Sequence, residues 1–128
     1  MIGHALLVVD VQNDFCPGGA LAVDKGDEIL PAINRLIDES EHVILTQDWH
    51  PAGHSSFATS HPGKQPYDTV DMAYGRQTLW PDHCVQGTHG ADFHPDLQTA
   101  GYLRERNISS LTLAGLATDF CVAYSALD

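Results

Sequence analysis

Three short runs of the chain combine acids, imidazoles and a thiol in patterns that can hold a cation and attack a carbonyl. The first is Asp48-Trp49-His50. A carboxylate and an imidazole two positions apart at a strand end face the same side, so they can share one divalent ion. His83, across a long stretch of chain, is a candidate third ligand, and His54 or Ser55 is near enough in sequence to be an accessory one. Mixed nitrogen and oxygen ligation suits Zn²⁺, Fe²⁺ or Mn²⁺. Spacing alone does not separate this set from histidines that merely pack a loop. Cys121 stands where a strand pattern passes into a helical one. A helix N-terminus favours a thiolate, and its unpaired N–H groups can hold an oxyanion. The alternative for Cys121 is an inert core cysteine. Asp10 follows the first apolar run, at the carboxyl end of a strand, where parallel α/β sheets hold their ligands. Its alternative is a solvated carboxylate that ends a strand. Phe15 and Trp80 could stack on a planar ring or could simply fill a core.

These residues need a scaffold, and the pattern of apolar residues supplies one. Ala5 to Val9 reads as a buried strand ending at Asp10. Asp14 to Gly26, with its Cys-Pro-Gly-Gly, reads as a loop. Asp27 can cap a helix running to about Ser40, with Ile29, Leu30, Ile33, Leu36 and Ile37 at helical spacing. His42 to Thr46 is a second buried strand, and the strand, helix, strand order implies a parallel sheet. From Pro51 to about Phe93 the chain is loop-like and dense in Pro, Gly, His and Ser; a loop that long is usually functional. A helical piece around Leu103 to Asn107 and a third strand, Ser110 to Ala114, follow, and a helical pattern starts at Phe120.

The 128 residues suffice for one domain, taken as residues 1–128. Seventeen acids against six bases give a net charge of −11, which repels nucleic acid and anionic membranes. The N-terminal apolar run is too short for a signal peptide, and no stretch reaches membrane-spanning length. Three cysteines (Cys16, Cys84 and Cys121) do not make a disulfide framework. A cytoplasmic protein with a small-molecule partner is expected, with no nucleic-acid or membrane partner. A homo-oligomer is compatible with this reading.

Four runs together carry a resemblance to a known family. Val8-Val9-Asp10-Val11-Gln12-Asn13-Asp14-Phe15, Gln47-Asp48-Trp49-His50-Pro51, Trp80-Pro81-Asp82-His83-Cys84 and Gly115-Leu116-Ala117-Thr118-Asp119-Phe120-Cys121-Val122 resemble, in order, the nicotinamidases (pyrazinamidases) of the isochorismatase-like cysteine hydrolases. The resemblance implies a three-layer αβα fold with a parallel sheet and flanking helices. It implies metal-dependent conversion of nicotinamide to nicotinate and ammonia through a cysteine thioester. In that scheme Asp10 is the catalytic acid/base and Cys121 the nucleophile. The amides of Ala117 and Cys121 form the oxyanion hole, helped by a cis peptide between Leu116 and Ala117. Asp48, His50 and His83 bind one divalent metal, with zinc expected and iron or manganese as alternatives. Phe15 and Trp80 sandwich the substrate ring.

One departure is plain. The family carries a catalytic lysine on a central strand between the His83 and Cys121 motifs, and the lysines here are Lys25 and Lys64 alone. The chain also ends inside the helical pattern that contains Cys121, where relatives continue. The fold is therefore expected to lack the lysine-bearing strand and the C-terminal part, which leaves sheet edges open and the core small. Two other functions follow as alternatives. One is a hydrolase of a different small amide, or of isochorismatase type. The other is a catalytically dead, metal-binding remnant.

Overall fold

The computed structural model describes residues 4–99 and 110–115. Its centre is β1 (His4–Val9), whose Ala-Leu-Leu-Val-Val sequence suits a strand covered on both sides. β2 (Val43–Thr46) pairs with one edge of β1 and β5 (Ser110–Gly115) with the other, both parallel, in the order β2-β1-β5. The register sets Val9 opposite Thr46 on one side and opposite Gly115 on the other. All three strands therefore finish at one edge. These strands match the three read from sequence to within a residue at each end.

Helix α1 (Leu30–Glu39) covers one face of the sheet. Its Leu30 and Ile33 are buried with Leu6, Val8, Val11, Val43 and Leu97. Full burial of side chains of this size stabilises by about 1.5–3 kcal/mol each. The expected start at Asp27 is corrected. Gly26–Ile29 forms a 3₁₀ turn, entered through Lys25 at φ 56°, and no side chain caps α1. Pro31 lies in the first turn, where its fixed φ is pre-organised and its missing N–H costs nothing. The helix ends as Ser40 turns to extended backbone and its hydroxyl donates to Leu36 O (2.6 Å).

The region expected to be one long loop contains a hairpin, β3 (Thr69–Met72) with antiparallel β4 (Gly75–Thr78). Ala73 and Tyr74 make its turn, and Gly75 follows at φ 128°. The helical patterns at 103–107 and from Phe120 onward lie outside the described residues. So do Ala117, Cys121 and the Leu116–Ala117 peptide. Among the described residues no helix is long and apolar enough to cross a membrane.

Candidate active site

At the shared strand edge, Asp10 leaves β1 with φ 55° and is buried. Such backbone costs a non-glycine residue roughly 1–2 kcal/mol, and Asp is among the residues that tolerate it. The neighbouring strand holds it there. The Thr46 hydroxyl donates to Asp10 Oδ1 (2.8 Å), and the Asp10 N–H reaches both Thr46 Oγ1 (3.1 Å) and Thr46 O (3.2 Å). β5 brings the chain to the same edge at Gly115, six positions before Cys121.

Asp48 and His50 lie beyond the end of β2, so strand alternation alone does not aim them. A short parallel bridge does. The His50 N–H donates to Cys84 O (2.9 Å), and the Gln86 N–H donates to His50 O (2.8 Å). This bridge carries His83 to the other two. Asp48 Oδ1 is then 3.3 Å from His50 Nδ1, and Asp48 Oδ2 is 3.3 Å from His83 Nε2. One donor atom from each of the three residues lies within 4.8 Å of the other two, the spacing a shared cation needs. His83 Nδ1 lies 2.7 Å from Pro81 O. With the proton on Nδ1, the Nε2 lone pair faces Asp48 and is free for a metal.

The surroundings of the triad are apolar on one side. Phe57 has no exposed surface and sets its ring edge-on to His50 (5.1 Å between centroids) and His83 (5.5 Å). Phe15, also buried, packs on His83 at 5.7 Å. The two imidazoles respond differently. Burial pushes the His50 pKa down, and His83 and His54 add to the fall, against a smaller lift from Asp48. For His83, burial also opposes the charge, yet Asp48, the Pro81 carbonyl and Asp14 together raise its pKa. The shift at His50 favours the neutral imidazole that a metal needs, whereas at His83 the acidic neighbours favour the charged form. His50 Nδ1 is buried and makes no hydrogen bond, an arrangement that costs free energy unless something satisfies it. One carboxylate and two imidazoles, one of them with an orphaned nitrogen, fit a divalent cation.

His54, the expected accessory ligand, sits beside His50 with ring centroids 4.9 Å apart. Its Nδ1 is engaged by Ser56, whose Oγ lies at 2.8 Å and whose N–H donates at 3.2 Å, so it flanks the triad. Trp80 is half-buried and meets Tyr67 edge-on at 5.8 Å. Its backbone pairs with the Ser56–Ala58 segment, which places it next to Phe57. Phe15 therefore borders the triad directly, and Trp80 is linked to it through Phe57. Cys16 and Cys84 are both buried. Burial, and then Asp27, pushes the Cys16 thiol above its ordinary value, which suits it poorly for attack. Thr46, Gln12 and Asp14 also shape this site without having stood out in the sequence. Their one signal was a position inside or beside the motif runs, which does not distinguish a clamp from a turn.

Comparison with known proteins places the chain among related sequences and folds. The family model of the isochorismatase domain matches residues 4–101. A nicotinamidase of Acinetobacter baylyi is 47% identical over 156 residues, which takes in 97% of this chain and 73% of that enzyme. The solved Acinetobacter baumanii nicotinamidase/pyrazinamidase superposes with a TM-score of 0.75 at 52% identity, over 88% of this chain and 52% of that one. A Pyrococcus horikoshii pyrazinamidase solved in complex with zinc gives a TM-score of 0.75 at 32% identity, over 98% of this chain and 77% of that one. The chain thus spans about half the length of the first of these structures. The alignment with the Acinetobacter baylyi enzyme is longer than this 128-residue chain, so that enzyme has internal positions with no counterpart here.

Proposed function

The chain belongs to the isochorismatase family, and from that premise we propose that it hydrolyses nicotinamide to nicotinate and ammonia, with zinc in the Asp48–His50–His83 centre. The observation that carries this reading is that centre, lying beyond the β2 end of the strand edge that also presents Asp10. It sets the chain apart from a metal-free hydrolase of the same fold. A cation held there would polarise a ligand atom or a water molecule.

The chain's own residues supply the rest of the proposed reaction. Asp10 takes the thiol proton of Cys121, and the sulfur attacks the carboxamide carbon. The carbonyl oxygen gains negative charge and is held by the N–H groups of Ala117 and Cys121. Asp10 returns the proton to the departing nitrogen, the C–N bond breaks and ammonia leaves an acyl thioester. Water then cleaves the C–S bond, giving the carboxylic acid and the free thiol. Phe15 and Trp80 bound the space in which the pyridine ring would lie.

Thr46 has a direct part in this scheme, because it fixes the carboxylate that shuttles the proton. Hydrogen bonds to charged groups contribute about 1.5–3 kcal/mol. Thr46→Val keeps the shape and removes the hydroxyl, so turnover is expected to fall roughly ten- to hundredfold. Metal content should not change. Turnover within twofold of the parent would rule out this role.

A second reading rests on one specific observation, the absence of a lysine between the His83 and Cys121 motifs. In it the chain is a metal-binding remnant without turnover. Ammonia release from nicotinamide, followed with the metal-loaded chain and again after chelation, separates the two. Release that chelation abolishes is expected. A well-folded, zinc-loaded sample that releases none favours the remnant.

A further inference from the structure

The three residues of the metal centre come from two loops, and both loops are tied to one short segment directly after β1. Gln12 is the main tie. It has no exposed surface, and its whole amide is used. Gln12 Oε1 accepts the Asp48 N–H (2.8 Å), and Gln12 Nε2 donates to Asp48 O (2.8 Å) and to Ala91 O (2.7 Å). The backbone of Asp48 is thus gripped on both sides, as a neighbouring strand would grip it, at a point where β2 has already ended.

Asp14, two residues on, serves the other loop. Its Oδ2 accepts the Cys84 N–H (2.8 Å), next to His83 in the chain, and its Oδ1 accepts the Ala20 N–H (3.1 Å). Cys84 is at φ 47°, a conformation that a non-glycine residue needs help to hold. Gly90 lets the chain pass close to this carboxylate, since a side chain there would collide with Asp14.

We infer that Gln12 and Asp14 are positioning residues that set the Asp48–His50–His83 triad in register before any metal arrives. This rests on the metal reading of the triad. The physical reason is entropic and electrostatic. Two loops left to themselves would have to be ordered by the ion, and the binding energy would fall by the cost of ordering them. Partners beyond the ligands commonly account for 10- to 100-fold in metal affinity.

The test is zinc affinity of the full chain, measured by competition with a chromogenic chelator, together with the visible absorption of Co²⁺ bound in place of zinc. Gln12→Met keeps the length and removes the amide. It is expected to weaken zinc binding about 10- to 100-fold and to alter the Co²⁺ spectrum, which reports ligand geometry. Asp14→Asn keeps the shape but presents an amide N–H₂ to one of two backbone N–H donors, and the same changes are expected. Ile33→Ala, a cavity in the core under α1, controls for loss of stability and should leave both readouts as they are. A folded Gln12→Met chain with affinity within twofold of the parent and an unchanged spectrum overturns the inference. If Gln12→Met does not fold, Asp14→Asn carries the test with the same two outcomes. A parent chain that binds no zinc overturns the metal reading, and this inference with it, and is plainly different from equal affinities.

Discussion

Replacing Cys121 by alanine is expected to lower ammonia release at least about a thousandfold and to leave zinc bound. The reason is that attack and ligation are assigned to different residues. The sulfur forms the acyl bond, and no other group proposed at the site can replace it as a nucleophile. Of the remaining thiols, Cys16 and Cys84 are buried, and the Cys16 thiol is pushed further from the thiolate by burial and by Asp27. Neither is placed to take over. Among the described residues the metal centre draws on Asp48, His50 and His83, so its stoichiometry should be that of the parent. Paired measurements of ammonia and of bound zinc check this. Retained turnover would refute the nucleophile, and loss of zinc would mean that Cys121 belongs to the ligand set.

Replacing Asp48 by alanine should have the complementary effect, removing both metal and activity. Asp48 is the carboxylate of the triad and lies 3.3 Å from a nitrogen of each imidazole. Without it His50 and His83 are two imidazoles edge-on, with centroids 4.9 Å apart and no anion to offset a bound cation's charge. Zinc affinity is expected to fall by more than about 100-fold, beyond the range that loss of a supporting partner gives. The backbone grip of Gln12 on residue 48 does not involve the carboxylate and should survive, so the chain should stay folded. Metal analysis after dialysis, with circular dichroism as the control, decides it. A folded variant that retains a full equivalent of zinc would place the metal elsewhere.

These two experiments separate the parts of the assignment that stand on different ground. The triad stands on side-chain geometry within the described residues. The nucleophile stands on the Gly115–Val122 motif and on β5, which ends at the same sheet edge as β1 and β2. The absent lysine bears on the nucleophile alone. A cation near Cys121 would favour its thiolate and the developing oxyanion, and this chain has no lysine to supply one between His83 and Cys121.

Some of the architecture was legible in residue order because it depends on local chemistry. Short aliphatic runs rich in β-branched residues are well satisfied in the interior of a sheet and too short for a buried helix, which is why β1, β2 and β5 were readable. The β3–β4 hairpin was not. Its strands, Thr-Val-Asp-Met and Gly-Arg-Gln-Thr, have little apolar content, and the Ala-Tyr turn carries none of the usual hairpin residues. The start of α1 was misplaced because Asp27 is a good cap by type, whereas Lys25 in left-handed backbone and Pro31 in the first turn decide the geometry.

The amino-acid sequence by itself determined the chemistry this protein can attempt. The carboxylates, imidazoles and thiol, the absence of a lysine at the expected place, and the β-strands that lead to Asp10 and end on Thr46 are all set by residue type and short-range pattern. The motif runs already single out His50 and His83 among eight histidines, and the tertiary structure decided how they come to meet Asp48. His83 reaches Asp48 through the bridge between His50 and Val85, and Gln12 and Asp14 hold the two loops from a third. Those contacts join residues far apart in the chain: the bridge is made by backbone groups, and the two ties by the Gln12 amide and the Asp14 carboxylate on distant backbone N–H and C=O groups. A sequence carries no local mark of them, because a Gln or an Asp after a strand reads the same whether or not a distant backbone comes within its reach.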